Sequence, residues 1–162
     1  VNNADKIGVI FYSNQVEGYI PPKTGKQHAL YMVRQLFSIE PKSKGTQLSK
    51  ALQFFNNATR QKSIAFVLSD FLDANYNDAL RVAARKHDVI GIKVYDKMDM
   101  QLPDAGLLQV MDAENGQTHW VDSSSKSVRD RYHEEFFRVT AYSADVFRKA
   151  GCDLLHIRSG ED

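Results

Sequence analysis

Five apolar residues, Ile64-Ala65-Phe66-Val67-Leu68, run unbroken into Ser69-Asp70. A run this short, bounded by turn-prone polar residues, predicts a strand buried on both faces of a parallel sheet. Ile7 to Tyr12 and Val89 to Tyr95 have the same apolar, β-rich character. Val16-Glu17-Gly18-Tyr19-Ile20 alternates instead, which predicts a half-exposed edge strand antiparallel to the Ile7 strand, joined to it through Ser13-Asn14-Gln15 and ended by Pro21-Pro22. Between the strands the period changes to helical. Leu30, Val33, Leu36 and Phe37 mark a helix over 26–37. Leu48, Ala51, Leu52, Phe55 and Ala58 mark a second, with Thr46 as its N-cap. Asp73-Ala74-Asn75 opens a third, over 76–86 with Tyr76, Ala79, Leu80 and Ala83 inward.

The C-terminal third follows the same logic. The runs 107–112 and 117–122 flank Ala113-Glu114-Asn115-Gly116, and Asn-Gly between strand-like runs predicts a hairpin. The longest helix spans 126–150, with Val128, Tyr132, Phe136, Val139, Ser143, Val146 and Ala150 inward and Gly151 stopping it. A last strand begins at Cys152. Strands alternating with helices at this spacing predict an α/β fold, a three-layer domain with a mostly parallel sheet flanked by helices, spanning 1–162.

Composition narrows the function classes. The chain has 162 residues, a net charge of +1, 43% hydrophobic and 25% charged residues. Neither nucleic acid nor an anionic membrane is indicated by that charge balance. No apolar run nears the roughly 20 residues of a membrane span. The one cysteine, Cys152, excludes an internal disulfide and fits a reducing, cytoplasmic setting; its place after Gly151 reads as a small buried hydrophobe rather than a nucleophile.

Candidate chemistry gathers at strand ends. In open α/β sheets ligands sit at the carboxyl ends of the strands. Asp70 ends one strand, and Asp96 and Asp99 follow the next, where they read as a solvated acidic loop. Pro22-Lys23-Thr24-Gly25-Lys26 lacks the first glycine of a phosphate loop, and Gln27 stands where Ser or Thr is required. His28, His87, His119, His133 and His156 show no metal-ligand spacing and read as surface or helix positions. Arg129-Asp130-Arg131 reads as the solvated face of the long helix, and the pairs Phe54-Phe55 and Phe136-Phe137 as core.

Several segments together resemble a known family. Asp5-Lys6-Ile7-Gly8-Val9-Ile10-Phe11 and the edge strand after it resemble the second and third strands of a von Willebrand factor A domain. Lys44-Gly45-Thr46-Gln47-Leu48 resembles the loop that gives such domains a metal-binding threonine, and Leu68-Ser69-Asp70-Phe71 the strand end that gives them a metal-binding aspartate. Leu102-Pro103-Asp104-x-Gly106, through Asp112-x-Glu114-x-Gly116 to Val121-Asp122, resembles the bacterial von Willebrand factor A-like proteins that accompany MoxR-type AAA+ ATPases. The resemblance implies a non-catalytic protein-interaction module. It would be assisted by Mg²⁺ or Mn²⁺ in the intact protein, with Thr46 and Asp70 among the ligands and a MoxR-type ATPase as partner.

One departure matters. The Asp-x-Ser-x-Ser of the metal-ion-dependent adhesion site is absent; the nearest string, Asp122-Ser123-Ser124-Ser125-Lys126, lies after the hairpin. By the resemblance, the first central strand, its metal loop and the following helix would precede Val1. The expectation is therefore an N-terminally incomplete domain whose site lacks a corner. Its Ile7 and Ile64 strands would have sticky edges that pair with each other or with another copy. Two alternatives stand beside this reading. One is a Mg²⁺-dependent phosphoryl-transfer or phosphatase-type enzyme of a doubly wound fold, using Asp70 with Asp96 or Asp99. The other is a flavodoxin-like regulatory module with Asp70 as acceptor, against which stands the Ser13-Asn14 end of the Ile7 strand.

Overall fold

The computed structural model describes residues 5–43, 45–111 and 117–160. Its elements run β1 (Ile7–Tyr12), β2 (Val16–Lys23), α1 (Lys26–Ser38), α2 (Leu48–Ala58), β3 (Ile64–Ser69), α3 (Asn77–Lys86), β4 (Asp88–Tyr95), α4 (Lys97–Met100), β5 (Leu107–Met111), β6 (Thr118–Asp122), α5 (Lys126–Ala150) and β7 (Asp153–Arg158). β3, β4 and β7 form a parallel sheet with β4 central, Val67 opposite Gly91 and Gly91 opposite Leu154. β1 and β2 form an antiparallel hairpin, as do β5 and β6. The fold is α/β with mixed strand pairing. The Asn115-Gly116 turn lies outside the described residues, while the register of β5 on β6 fits the hairpin its sequence predicts.

The core lies on one side of the parallel sheet. Leu48, Ala51 and Leu52 of α2, Ala79, Leu80 and Ala83 of α3, and Val146 and Phe147 of α5 pack there with Phe71, Tyr76 and Val89. Ala65, Val67 and Leu154 meet them from the strands. Gly91 is required by this packing, because a Cβ there would stand 2.6 Å from Phe147 and from Leu154.

The other side is bare, which corrects the expectation for β3. Its residues alternate: Ile64, Phe66 and Leu68 are 64%, 59% and 59% exposed, while Ala65 and Val67 are half-buried. Leu155 and Ile157 of β7 continue the exposed apolar face. The run is apolar on both faces because both are built to be covered, but among the described residues only one has its helices. α1 shows the same thing. Leu30, Val33, Leu36 and Phe37 form the expected stripe and all are exposed, Phe37 at 85%.

Smaller corrections concern helix ends. Pro21 and Pro22 lie within β2 rather than ending it, beside a register irregularity opposite Ile7 and Val9. α2 begins at Leu48 with no side-chain cap from its own N-cap residue, so Thr46 is not its cap. Asp73 takes that role from a distance: Leu48 N–H donates to its Oδ2 at 2.8 Å. α5 ends as expected at Gly151, with φ of 73°.

Candidate functional site

The carboxyl ends of β1 and β3 lie side by side, although the two strands belong to different sheets. The hydroxyl of Tyr12, last residue of β1, is 3.4 Å from the carbonyl of Leu68. Gln47 N–H donates to the carbonyl of Ser13 at 2.9 Å, which draws the loop carrying Thr46 onto the end of β1. α2, which follows that loop, packs against both β1 and α3. Thr46 and Asp70, the two ligand candidates, thus come from two loops that meet at one end of the molecule, with Ser13, Ser69 and Asp73 about them.

Asp70 is held by a compact turn. Ser69 Oγ accepts from Phe71 N–H at 3.0 Å, and Asp70 Oδ1 accepts from Leu72 N–H at 3.2 Å. Phe71 is buried at φ of 54° and is the non-glycine residue with positive φ among those described. Such a conformation persists where the surroundings over-determine it, and here Phe71 is wedged against Tyr76 and Phe147. The turn leaves the Asp70 side chain exposed at the strand end.

Beneath it lies a residue that the sequence pattern did not single out. Lys93, on the core face of β4, is 2% exposed, donates through Nζ to the Asp70 carbonyl, and sits 5.5 Å from the centre of the Phe136 ring. Burial pushes its ammonium below the usual lysine range, against the opposing pull of Asp70 and Asp99. Tyr12 is pushed up by burial, with Asp70 and Asp73 adding to the rise. Tyr76 is pushed up mainly by burial and then by Tyr142 and Asp73.

Asp96 and Asp99 are not a free acidic loop. Asp96 Oδ1 accepts from Met98 and Asp99 N–H at 2.5 and 3.0 Å, while Asp99 Oδ2 accepts from Asp96 N–H at 2.8 Å. The pair is a reciprocal cap on α4. Arg129 is likewise not simply solvated: it donates to the carbonyls of Ser123 and Ser124 and pairs with Asp104 at 3.3 Å, tying the start of α5 to the loop before β5. His87, read as a surface or helix position, follows α3 and is 2% exposed, and Phe137, expected in the core, is half exposed. Cys152 packs against the core, half-buried, and burial pushes its thiol up. Among the described residues no three His, Cys, Asp or Glu side chains come together in a way that could hold a metal ion. Ser69 Oγ lies 3.4 Å from Asp70 Oδ1, so a hydroxyl and a carboxylate, hard oxygens of the kind Mg²⁺ or Mn²⁺ takes together with water, do meet there.

Fold and site thus define an α/β protein with a polar cluster at the carboxyl ends of two strands that belong to different sheets, and no described helix is long and apolar enough to cross a membrane. The chain belongs to the family of proteins of unknown function DUF58, whose profile matches residues 1–141. It is 29% identical over 165 residues to an uncharacterised protein of Mycobacterium bovis and, equally, to one of Mycobacterium tuberculosis; each match covers 98% of this chain and 50% of the relative. An uncharacterised protein of Mycobacterium avium is 27% identical over 146 residues, covering 88% of this chain and 86% of that one. The chain therefore spans about half the length of the first two relatives. No solved structure matches it.

Proposed function

We propose that this chain is part of a non-catalytic protein-binding module with a von Willebrand factor A-like fold, in which Thr46 and Asp70 help to hold a divalent cation. The observation that carries the reading is the meeting of the Thr46 and Asp70 loops at the ends of β1 and β3, two strands whose facing edges do not pair. Tyr12 bridges those ends with its side chain rather than through a ladder. The reading calls for one further strand between them, paired at about 4.7–4.9 Å from each neighbour. A strand entering there would end beside Asp70 and could supply the oxygens that Thr46 and Asp70 leave wanting from the roughly six that Mg²⁺ or Mn²⁺ requires. A cation held by few carboxylates stays under-neutralised and takes an acidic side chain from a partner as a further ligand.

The partner proposed is a MoxR-type AAA+ ATPase, and this rests on the family resemblance of 102–122 alone. Association between copies through the open strand edges is a further proposal, supported by the bare apolar face of β3 and β7. The test is binding of the purified ATPase to a form of this polypeptide extended to the length of its relatives, with Mg²⁺ or with chelator. The reading predicts binding that needs the metal and is lost in Asp70→Ala. Binding indifferent to both would contradict it. Hydrolysis of p-nitrophenyl phosphate that depends on Mg²⁺ and on Asp70 would replace it with the phosphoryl-transfer reading.

A further inference from the structure

The corner where the C-terminal ends of α2 and α3 meet holds three buried polar atoms without partners. His87, the residue after α3, is 2% exposed, and neither Nδ1 nor Nε2 makes a hydrogen bond. Asn56 Oδ1, near the end of α2, is in the same state. The imidazole lies against Phe55, ring centres 4.4 Å apart and planes tilted by 49°. A neutral imidazole carries one N–H donor and one acceptor nitrogen, whereas the imidazolium carries two donors and a charge. Leaving a neutral donor unpaired is costly, and burying an unpaired charge costs much more.

The surrounding charges do not relieve this. From α3, Lys86 Nζ reaches the carbonyls of Asn56 and Thr59 at 3.0 and 2.5 Å, capping the end of α2 with a positive charge. The loop after α2 carries Arg60 and Lys62. Asp88, which opens β4, is engaged by Lys62 at 3.2 Å. α2 contributes Phe55 and Asn56 to the contact and no charge. Burial first, and Lys86 second, hold the His87 imidazole below the usual histidine value.

We propose that His87 is an acid-sensitive latch, which closes the α2–α3 corner when neutral and opens it when protonated. Its contribution is present in full above the ordinary histidine pKa of about 6.5 and is lost as pH falls through the depressed folded value. The latch sits at one end of α2, and the other end is pinned by the Leu48–Asp73 bond beside the Thr46 loop. Opening the corner therefore loosens the C-terminal end of the helix whose other end carries that loop. The latch stands whether or not a cation binds there.

The test is hydrogen exchange of the 162-residue chain at pH 7.5 and 5.0, each rate divided by the intrinsic rate at that pH. Peptides covering 53–63 and 83–90 should open more readily at pH 5.0 by roughly an order of magnitude, while β7 is unchanged. His87→Gln and His87→Phe should each abolish the response, and NMR titration should show an imidazole, missing from His87→Gln, that protonates below the ordinary histidine value. Asn56→Leu should keep the pH response, so that a general loosening of the corner is distinguished from the latch. A response that persists in the His87 variants, or a His87 that titrates at the ordinary value with no change in exchange, would overturn the proposal.

Discussion

Single residues in this protein are set by what they face more than by what they are. Lys93 stands between Ile92 and Val94, a charged residue inside an otherwise apolar run. It is buried because the Asp70 carbonyl and the Phe136 ring receive its ammonium, contacts that join residues far apart in sequence. Asp73 was legible as a cap, but for the wrong helix: it serves α2, which precedes it by a whole strand. Asp73→Ala should leave the Leu48 N–H without its acceptor and cost about 1 kcal/mol, the usual worth of a helix cap, read as a lower urea midpoint with an unchanged slope. Gly91→Ala should cost more, about 1–3 kcal/mol for overpacking against Phe147 and Leu154. Thermal unfolding would show it, and a variant as stable as the parent would contradict the packing described. Asp70 was legible because a strand's end is legible; the turn that aims it, with Phe71 at positive φ, was not.

At the scale of elements the order of strands and helices followed from periodicity, and most boundaries fall within a residue or two of those predicted. β3 did not behave as read. An unbroken apolar run says that both faces of a strand are meant to be covered, and says nothing of where the second cover comes from. Phe66 and Val67 make the point testable. In the dilute, unassociated chain Phe66→Lys places a charge on the bare face and should change stability by no more than about 0.5 kcal/mol. Val67→Lys places it against the buried core cluster, and should unfold the chain or nearly so. Equal losses in urea denaturation would mean that the Phe66 face is covered in solution. α1 carries the same message, since its stripe of Leu30, Val33, Leu36 and Phe37 has a helical period and nothing described to meet it.

At the scale of the whole molecule these surfaces add up. Among the described residues the open edges of β1 and β3, the bare face of the parallel sheet and the stripe of α1 leave many large apolar side chains in water, the kind of surface that marks an association site. Fully burying one such side chain contributes about 1.5–3 kcal/mol, so the chain alone should associate. Light scattering over a dilution series should give a mass that rises with concentration, and Phe66→Lys should lower it; a constant monomer mass would remove the proposed association between copies. The site was only half legible for the same reason. Thr46 and Asp70 stand on loops whose positions the strand order fixes, while among the described residues no three His, Cys, Asp or Glu side chains gather to complete the proposed cation's ligands.

The most direct measurement is a Mn²⁺ titration by calorimetry of the polypeptide extended to the length of its relatives, beside the 162-residue chain and the Asp70→Ala variant of the longer form. Binding by the longer form alone, lost with Asp70, is the predicted result. Equal binding by both lengths, or binding that survives Asp70→Ala, would contradict the proposed cation site.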